Sequence, residues 1–124
     1  MSKRAAAALV GPLLLAAGCN APAPAGAGAV AGGDAERGAS IVRQAGCGAC
    51  HLIPGLRSPR GLVGPPLLHM GRRTTIAGVL ANTPDNMARW IQSPQTVVPG
   101  NAMPDTGLNA HQARDVTAYL EALP

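Results

Sequence analysis

The stretch Cys47-Gly48-Ala49-Cys50-His51 places two thiols and an imidazole within one short segment of chain. This spacing has a chemical reason. Two thiols three positions apart can add to the two vinyl groups of one porphyrin, and the next residue can turn its imidazole beneath the ring to reach the iron. The stretch therefore predicts one covalently bound haem c, attached at Cys47 and Cys50, with His51 as an iron ligand.

Three other uses of the two cysteines remain open from the residues alone. A redox-active dithiol normally lies in a βαβ unit, and no such pattern surrounds this pair. A zinc site needs a second cysteine pair or a spaced histidine pair, whereas only His69 and His111 remain. A plain disulfide between Cys47 and Cys50 is the third alternative, and it would leave the small core of this chain unexplained.

The composition indicates a core with too little apolar bulk. The chain of 124 residues has no Phe, one Trp and one Tyr, but 16 Gly and 12 Pro. We expect a single folded domain at residues 33–124, preceded by segments of different composition. Small domains with few large apolar side chains need a disulfide, a metal or a cofactor for stability. A buried haem would supply the missing apolar volume.

Three segments carry helix signals. The first, 33–46, opens with acidic residues and ends at a Gly, and the second, 83–94, has Thr83 as its N-cap and is stopped by a Pro. The third begins at Asn109, and a Gln three residues later completes the pattern of a capping box. No segment alternates between apolar and polar residues, so no strands are expected. The predicted fold class is all-α, with three to five helices around one haem and long Gly/Pro-rich loops.

The loop between the first two helices is expected to line the haem. From residue 52 to residue 68, Gly and Pro recur too often for regular secondary structure. The segment also carries apolar side chains that can face a ring, namely Leu56, Leu62, Val63, Leu67 and Leu68.

The second axial ligand of the iron is predicted to be Met103. Met87 falls on the apolar stripe of the second helix, Met70 sits in an Arg-flanked turn, and Met1 belongs to the leader. Met103 lies in a loop that no helical pattern explains, and it is far enough from His51 for the chain to pass around the ring. A thioether ligand favours ferrous iron and raises the reduction potential relative to two imidazoles. His69, His111 or an open coordination position are the alternatives.

The charge of the chain does not indicate nucleic-acid binding. The formal net charge is +4, and Lys3 and Arg4 contribute two of these charges within the leader. The remaining Arg residues are spread along the chain, without a basic run or interleaved aromatic residues for stacking on bases.

The N-terminal third resembles the export segment of a bacterial lipoprotein. Lys3 and Arg4 precede an apolar run at 5–17, which is the pattern of a signal peptide at residues 1–18. Leu15-Ala16-Ala17-Gly18-Cys19 resembles a lipoprotein processing site, although Ala16 stands where that family prefers Leu. Cys19 would become the lipidated N-terminus, followed by a flexible Ala/Pro/Gly linker within residues 19–32. Simple cleavage or an unprocessed signal anchor are the alternatives. The resemblance implies a membrane-anchored protein on the periplasmic or cell-surface side.

The rest of the chain resembles class I cytochromes c, and among them the cytochrome domain fused to subunit II of some haem-copper oxidases. The likeness covers residues 33–123 and adds several motifs to the Cys47–His51 stretch. These are Gly64-Pro65-x-Leu67, 71–78, Asn82-Thr83-Pro84, Trp90-Ile91, Pro94-Gln95, Pro99-Gly100, Met103-Pro104 and Ala118-Tyr119-Leu120.

This resemblance implies roles for individual residues. The Pro65 carbonyl would accept the ring N–H of His51, and Leu67 would lie at the haem. Trp90 and either Arg72 or Arg73 would contact the haem propionates, while simple core packing is the alternative for Trp90 and a solvated turn for the arginines. Gly38 would pack against Tyr119 where the first and last helices cross. Val42 stands where the family often has an aromatic residue.

The resemblance also implies a function. The chain would be a monomeric one-electron carrier and not an enzyme, taking electrons from a quinol-oxidising complex and passing them to a terminal oxidase or another periplasmic acceptor. One alternative is a haem peroxidase or gas sensor with an open iron site. The other is a haem-free module that uses Cys47 and Cys50 as a dithiol.

Overall fold

The helix signals of the sequence correspond to helices in the computed structural model, which describes residues 30–56 and 61–124. The elements in chain order are α1 (Ala35–Gln44), a 3₁₀ turn (Cys47–Ala49), a second 3₁₀ turn (Met70–Arg72), β1 (Thr75–Ile76), β2 (Leu80–Ala81), α2 (Pro84–Gln92), α3 (Pro94–Val97) and α4 (Ala110–Glu121). The predicted all-α class is confirmed, and the four α-helices of the described residues fall within the predicted number. The predicted leader, Cys19 and most of the linker lie outside the described residues.

The expectation that the chain has no strands is corrected by a small hairpin. β1 and β2 pair antiparallel, with Thr75 opposite Ala81 and Ile76 opposite Leu80. The turn between them has positive φ at Ala77 and at the following Gly, as type I′ hairpin turns require. Each strand has only two residues, which is too short for an alternating pattern to be visible in the sequence.

The predicted helix starts are confirmed by their caps. Asp34 accepts hydrogen bonds from two backbone N–H groups in the first turn of α1. Thr83 caps α2 through its hydroxyl, and Asn109 and Gln112 form both bonds of a capping box at α4. Pro94 has a second role that the sequence did not indicate, because it not only follows the end of α2 but also begins the short helix α3.

Helices α1 and α4 cross with their backbones in contact at Gly38. A methyl group added to Gly38 would overlap the backbone carbonyl oxygen of Asp115 and lie 2.9 Å from the β-carbon of Tyr119. Any larger residue would therefore push the two helices apart. The contact expected between Gly38 and Tyr119 is present. Val42, at the position where an aromatic residue was expected from the resemblance, is 1% exposed and belongs to the core.

A buried carboxylate closes the same crossing. Asp115 on α4 is 2% exposed, and its oxygens accept hydrogen bonds from the backbone N–H of Asp34 at 2.8 Å and from Nε and Nη2 of Arg37 at 3.0 Å. The hydrogen bond from Arg37 is the main reason why the pKa of Asp115 lies below its ordinary value. Nothing in the sequence distinguished Asp115 from a surface carboxylate on the same helix.

The core fills the space between α1, α2, α4 and the hairpin. The apolar side chains predicted for α2 and α4 face it, with Met87, Ile91 and Val116 among the buried residues. The buried cluster consists of Val42, Ile53, Met70, Ile76, Met87, Ile91, Ala113, Val116 and Leu120. None of these residues is aromatic, so the core is small, as the composition predicts. No helix of the described residues is long and apolar enough to span a lipid bilayer.

We predict that Asp115→Asn lowers the free energy of unfolding by about 2 kcal/mol at pH 7, because charge-assisted hydrogen bonds become weaker. The folded-state pKa of Asp115 lies below the unfolded one, so its contribution is present above pH of about 4 and is lost as the pH falls through the folded-state value. Urea unfolding of both proteins at pH 7 and pH 3 should show the difference shrinking in acid.

Asp85→Asn is the matched control, because Asp85 is exposed in the first turn of α2. It should change stability by less than about 0.5 kcal/mol at pH 7. An Asp115→Asn variant that is equally destabilised at both pH values would contradict the role assigned to the charge.

Candidate haem site

The two thiols and the imidazole are brought together by a tight turn at the end of α1. The helix ends at Gly46, whose positive φ of 70° turns the chain into the 3₁₀ turn that begins at Cys47. The backbone N–H groups of Cys50 and His51 both donate to the carbonyl oxygen of Cys47, at 3.2 and 3.0 Å. Residues three apart in such a turn lie on the same side, so both thiols can reach one ligand.

The two cysteines are partly buried free thiols. Burial is the main cause that raises the pKa of the Cys47 thiol above its ordinary value. Redox-active dithiols have the opposite property, a lowered pKa that produces the reactive thiolate. A raised pKa at Cys47 does not favour the thiolate that a redox-active dithiol needs, and the structure has no disulfide between Cys47 and Cys50.

The loop that follows His51 returns along this turn and is bonded to it. Backbone hydrogen bonds of 2.8 to 3.1 Å connect the segment 61–67 with the segment 48–52. They run from Gly61 to Gly48, from Gly64 to Cys50, and from Leu67 to Leu52. The returning loop is therefore held against the Cys47–His51 stretch along its length.

This return places a carbonyl group and a glycine against the imidazole. Nδ1 of His51 lies 2.8 Å from the carbonyl oxygen of Pro65. Because a carbonyl can only accept, Nδ1 carries the proton and the lone pair of Nε2 is left for a metal ion. A methyl group added to Gly64 would lie 2.6 Å from Nδ1 of His51, so the backbone of Gly64 packs directly on the ring. The hydrogen bond implied by the resemblance is present.

The methionines differ in their surroundings. Met70 and Met87 are 6% and 1% exposed and belong to the core cluster. Met103 is only partly buried, lies outside that cluster and sits in the loop between α3 and α4. Among the alternatives, His69 is exposed with a left-handed φ of 53°, and His111 is exposed on α4 beside Asp115. This placement is consistent with Met103 as the ligand, which stays a prediction.

Two open grooves border the hairpin. The larger, of about 560 Å³, contains Arg72 and Arg73 but not Trp90, the other predicted propionate contact. It is lined by Pro65, Arg72, Arg73, Thr74, Thr75, Ala77 and Gly78. The smaller, of about 320 Å³, is lined by Val79, Leu80, Arg89, Thr96 and Val97. The hairpin contributes residues to both grooves.

The residues of this region fit a haem. The two thiols can form thioether bonds with the ring, and Nε2 of His51 is left to bind the iron. Apolar side chains at the edge of the core are left partly uncovered, including Leu56, Leu67, Leu80, Trp90 and Leu108. Within residues 30–56 and 61–124, no three His, Cys, Asp or Glu side chains cluster to bind a metal ion, so the zinc alternative finds no donor set there.

The structure gives the arginines different surroundings. Arg73 donates through Nη2 to the carbonyl oxygens of Pro66 and Leu68, the latter at 3.1 Å. It therefore braces the loop that carries Pro65, a role that the sequence did not indicate. Arg72 is exposed. A contact of either arginine with a haem propionate stays a prediction, as does a contact of Trp90.

Two further residues hold segments of the site in place, a role that the sequence did not indicate. Asn82 donates through Nδ2 to the carbonyl oxygens of Met70 at 2.8 Å and Arg73 at 2.9 Å, which ties the second 3₁₀ turn to the hairpin. The hydroxyl of Tyr119 donates to the carbonyl oxygen of Pro54 at 3.2 Å and anchors the segment after His51 on α4. The signal for both was their place in the cytochrome-like motifs, which does not reveal a bonding partner.

Comparison with known proteins identifies similar sequences over this region. The sequence model of the family described as Cytochrome c matches residues 35–124. The chain is 31% identical over 90 residues to cytochrome c oxidase subunit 2 of Alkalihalophilus pseudofirmus, and 33% identical over 93 residues to that of Bacillus sp. strain PS3. These matches cover 72% of this chain but only 25% and 26% of the relatives. The chain thus corresponds to about a quarter of the length of these proteins.

A solved structure has the same fold. Cytochrome c2 from Rhodobacter sphaeroides aligns with a TM-score of 0.56 and 22% sequence identity, covering 73% of this chain and 96% of the other. The predicted cytochrome c fold is confirmed by this match and by the family model.

We predict that Gly64→Ala raises the reduction potential of the haem-loaded protein. The added methyl group displaces the His51 ring from Pro65, the imidazole becomes less basic, and ferric iron loses stabilisation. We expect a rise of roughly 30 to 60 mV. For a one-electron couple, this is about a three- to tenfold change in the equilibrium ratio of ferrous to ferric protein. Optical redox titration measures it.

Gln112→Ala is the control, because Gln112 lies in the capping box of α4 and no contact with the haem is predicted for it. Its potential should equal that of the unmodified protein. A Gly64→Ala protein with an unchanged potential would show that the hydrogen bond to Pro65 does not tune the iron ligand.

Proposed function

This chain belongs to the cytochrome c family, and on that premise we propose that it carries one electron at a time between redox proteins. Its cofactor is the covalent haem c of that family, which supplies a one-electron couple at its iron. The observation that carries the proposal is the tight turn at Cys47–His51, where two free thiols are followed by an imidazole whose Nδ1 is hydrogen-bonded to the Pro65 carbonyl. The thiols attach the haem, and His51 binds the iron.

The protein part sets the properties of the carrier. Pro65 orients the His51 ring and increases its basicity through the 2.8 Å hydrogen bond. Met103 provides the second axial ligand, and its thioether raises the potential above that of two imidazoles. His51 and Met103 would together hold the iron, which would leave no coordination position for a substrate. This distinguishes the carrier from the alternative of a peroxidase or gas sensor with an open site.

We predict that Met103→Ala abolishes the ferric charge-transfer band at the red end of the visible spectrum and allows rapid CO binding by the ferrous protein. The reason is that the truncated side chain leaves one iron position without a protein ligand. Absorption spectra before and after addition of CO measure both effects.

The control is Met87→Leu. Met87 is 1% exposed in the core, and this volume-conserving change should cost less than about 1.5 kcal/mol of stability and leave the spectrum unchanged. Rapid CO binding by the unmodified protein would favour the open-site alternative. A purified protein that is colourless, with the mass of the bare polypeptide, would disprove the haem attachment at Cys47 and Cys50.

The acceptor that fits best is a terminal oxidase. The relatives are named cytochrome c oxidase subunit 2, and this chain matches one segment of about 90 residues in each of them. As a monomeric carrier, the protein would deliver electrons to such an oxidase, and a quinol-oxidising complex or a similar donor would supply them. Reduced protein mixed with such an oxidase should be reoxidised under air.

The proposed location rests on the sequence of residues 1–32, of which 1–29 lie outside the described residues. The charged and apolar pattern at 1–18 supports export, and Cys19 supports lipid attachment. The Ala/Pro/Gly linker within residues 19–32 would let the cytochrome domain at 33–124 move over the membrane surface on the periplasmic or cell-surface side.

We predict that Cys19→Ala moves the protein from the membrane fraction to the soluble fraction, because the lipid can no longer be attached. The haem content should be retained, since the sites of haem attachment are distant in sequence. Fractionation with mass spectrometry measures both.

Asn20→Ala keeps the cysteine and should remain in the membrane fraction with its lipid mass. If the Cys19→Ala variant stays membrane-bound to the same extent, the anchor is not a lipid on Cys19.

A further inference from the structure

The main chain of Met103 is held by two amide side chains. Its N–H donates to Oδ1 of Asn101 at 2.7 Å, and its carbonyl oxygen accepts from Nε2 of Gln95 at 2.7 Å. Both polar backbone groups of the residue are thus satisfied by side chains and not by helix or sheet. Its position depends on these two amides, because the residue lies outside the core.

The amide of Gln95 connects several points of the loop. Nε2 also donates to the carbonyl oxygen of Asn101 at 3.0 Å, and Oε1 accepts from the backbone N–H of Gly100 at 3.0 Å. One side chain therefore bonds three backbone groups between Gly100 and Met103. All three would lose their partner if the amide were removed.

Helix α3 is the platform for this network. It starts at the buried Pro94, whose carbonyl oxygen accepts from Nδ2 of Asn101 at 3.0 Å, and the same Nδ2 donates to Val98 at 2.7 Å. The backbone N–H of Gln95 donates to Oδ1 of Asp105 at 3.2 Å. The loop is therefore bonded to α3 on both sides of Met103.

The far end of the loop is fixed to α2. The hydroxyl of Thr106 donates to the carbonyl oxygen of Ile91, the last buried residue of that helix, at 2.9 Å. The segment 98–106 is thus held against α2 and α3 by hydrogen bonds from side chains. None of its residues belongs to the core cluster. A loop held in this way opens when single hydrogen bonds are removed, without unfolding the core.

We propose that Gln95 is the positioning residue that keeps the Met103 thioether directed at the iron, with Asn101 as its partner. The inference rests on the proposed assignment of Met103 as the second axial ligand. It goes beyond that assignment, because it names the side chains that control how often the Met103 thioether dissociates from the iron. Without the Gln95 amide, the loop opens more often and an external ligand replaces the thioether more easily.

The alternative is that Gln95 only contributes to the stability of the fold. Stability alone does not distinguish the two roles, since loss of any of these hydrogen bonds lowers it. The state of the iron ligand does distinguish them. The measurements are therefore the red-end charge-transfer band of the ferric protein and the affinity of the ferric protein for added imidazole.

The experiment compares Gln95→Glu and Gln95→Ala in the haem-loaded protein. Glu has nearly the size of Gln and keeps an acceptor for Gly100, but an ionised carboxylate cannot donate to the two carbonyl oxygens. Gln95→Ala removes the whole group. We expect both variants to bind imidazole about tenfold more tightly than the unmodified protein, which corresponds to the loss of one or two hydrogen bonds that close the loop. The charge-transfer band should weaken in parallel.

Gln112→Ala is the matched control, because Gln112 is also a hydrogen-bonded amide, located in the capping box of α4. It should lower the unfolding free energy while leaving the band and the imidazole affinity unchanged. If the Gln95 variants behave like this control, with lower stability but an unaltered band and affinity, the inference is wrong.

Failure of the underlying assignment gives a different result. In that case Met103→Ala retains the charge-transfer band, and Met103 is not the ligand. When Met103→Ala loses the band but the Gln95 variants do not, the ligand is correctly assigned and only the positioning role is disproved. Gln95→Glu keeps the test usable if the Ala variant does not fold.

Discussion

The backbone contact between α1 and α4 at Gly38 is the constraint on which the rest of the structure depends. Only glycine allows α1 to lie against the carbonyl oxygen of Asp115, and the buried Asp115 carboxylate then bonds the start of α1 through Asp34 and Arg37. This crossing fixes the position of the C-terminal end of α1 relative to α4. It therefore determines where the two thiols and the imidazole stand relative to α4 and the core, because they follow α1 after a single turn.

The two proposed iron ligands, His51 and Met103, are held in place by different means. On the side of His51, a returning loop is bonded to the thiol-bearing turn by backbone groups, and it ends with the Pro65 carbonyl on the ring. On the side of Met103, side-chain amides take the place of backbone pairing. The buried core cluster has no aromatic residue, so a bound haem would add apolar volume that the chain itself does not supply.

Much of the site could be predicted because its chemistry is local. The spacing of Cys47, Cys50 and His51 required no knowledge of the fold, and the caps Thr83 and Asn109 are read from neighbouring residues. The hairpin was missed because a strand of two residues is too short to show an alternation of apolar and polar side chains. Asp115, Asn82 and Gln95 were missed as structural residues because each acts through partners that are distant in sequence or are backbone groups, and a polar residue type alone does not distinguish a surface position from a buried bond.

The sequence by itself determined the cofactor chemistry and the helical class, since these depend on residue types at short, regular spacings. Only the tertiary structure decided which carboxylate is buried at the helix crossing. It also decided which side-chain amides form hydrogen bonds with the Met103 loop. The physical reason is that a hydrogen bond between distant segments depends on the mutual positions of packed elements. Those positions result from the summed contacts of the whole domain and not from any one stretch of chain.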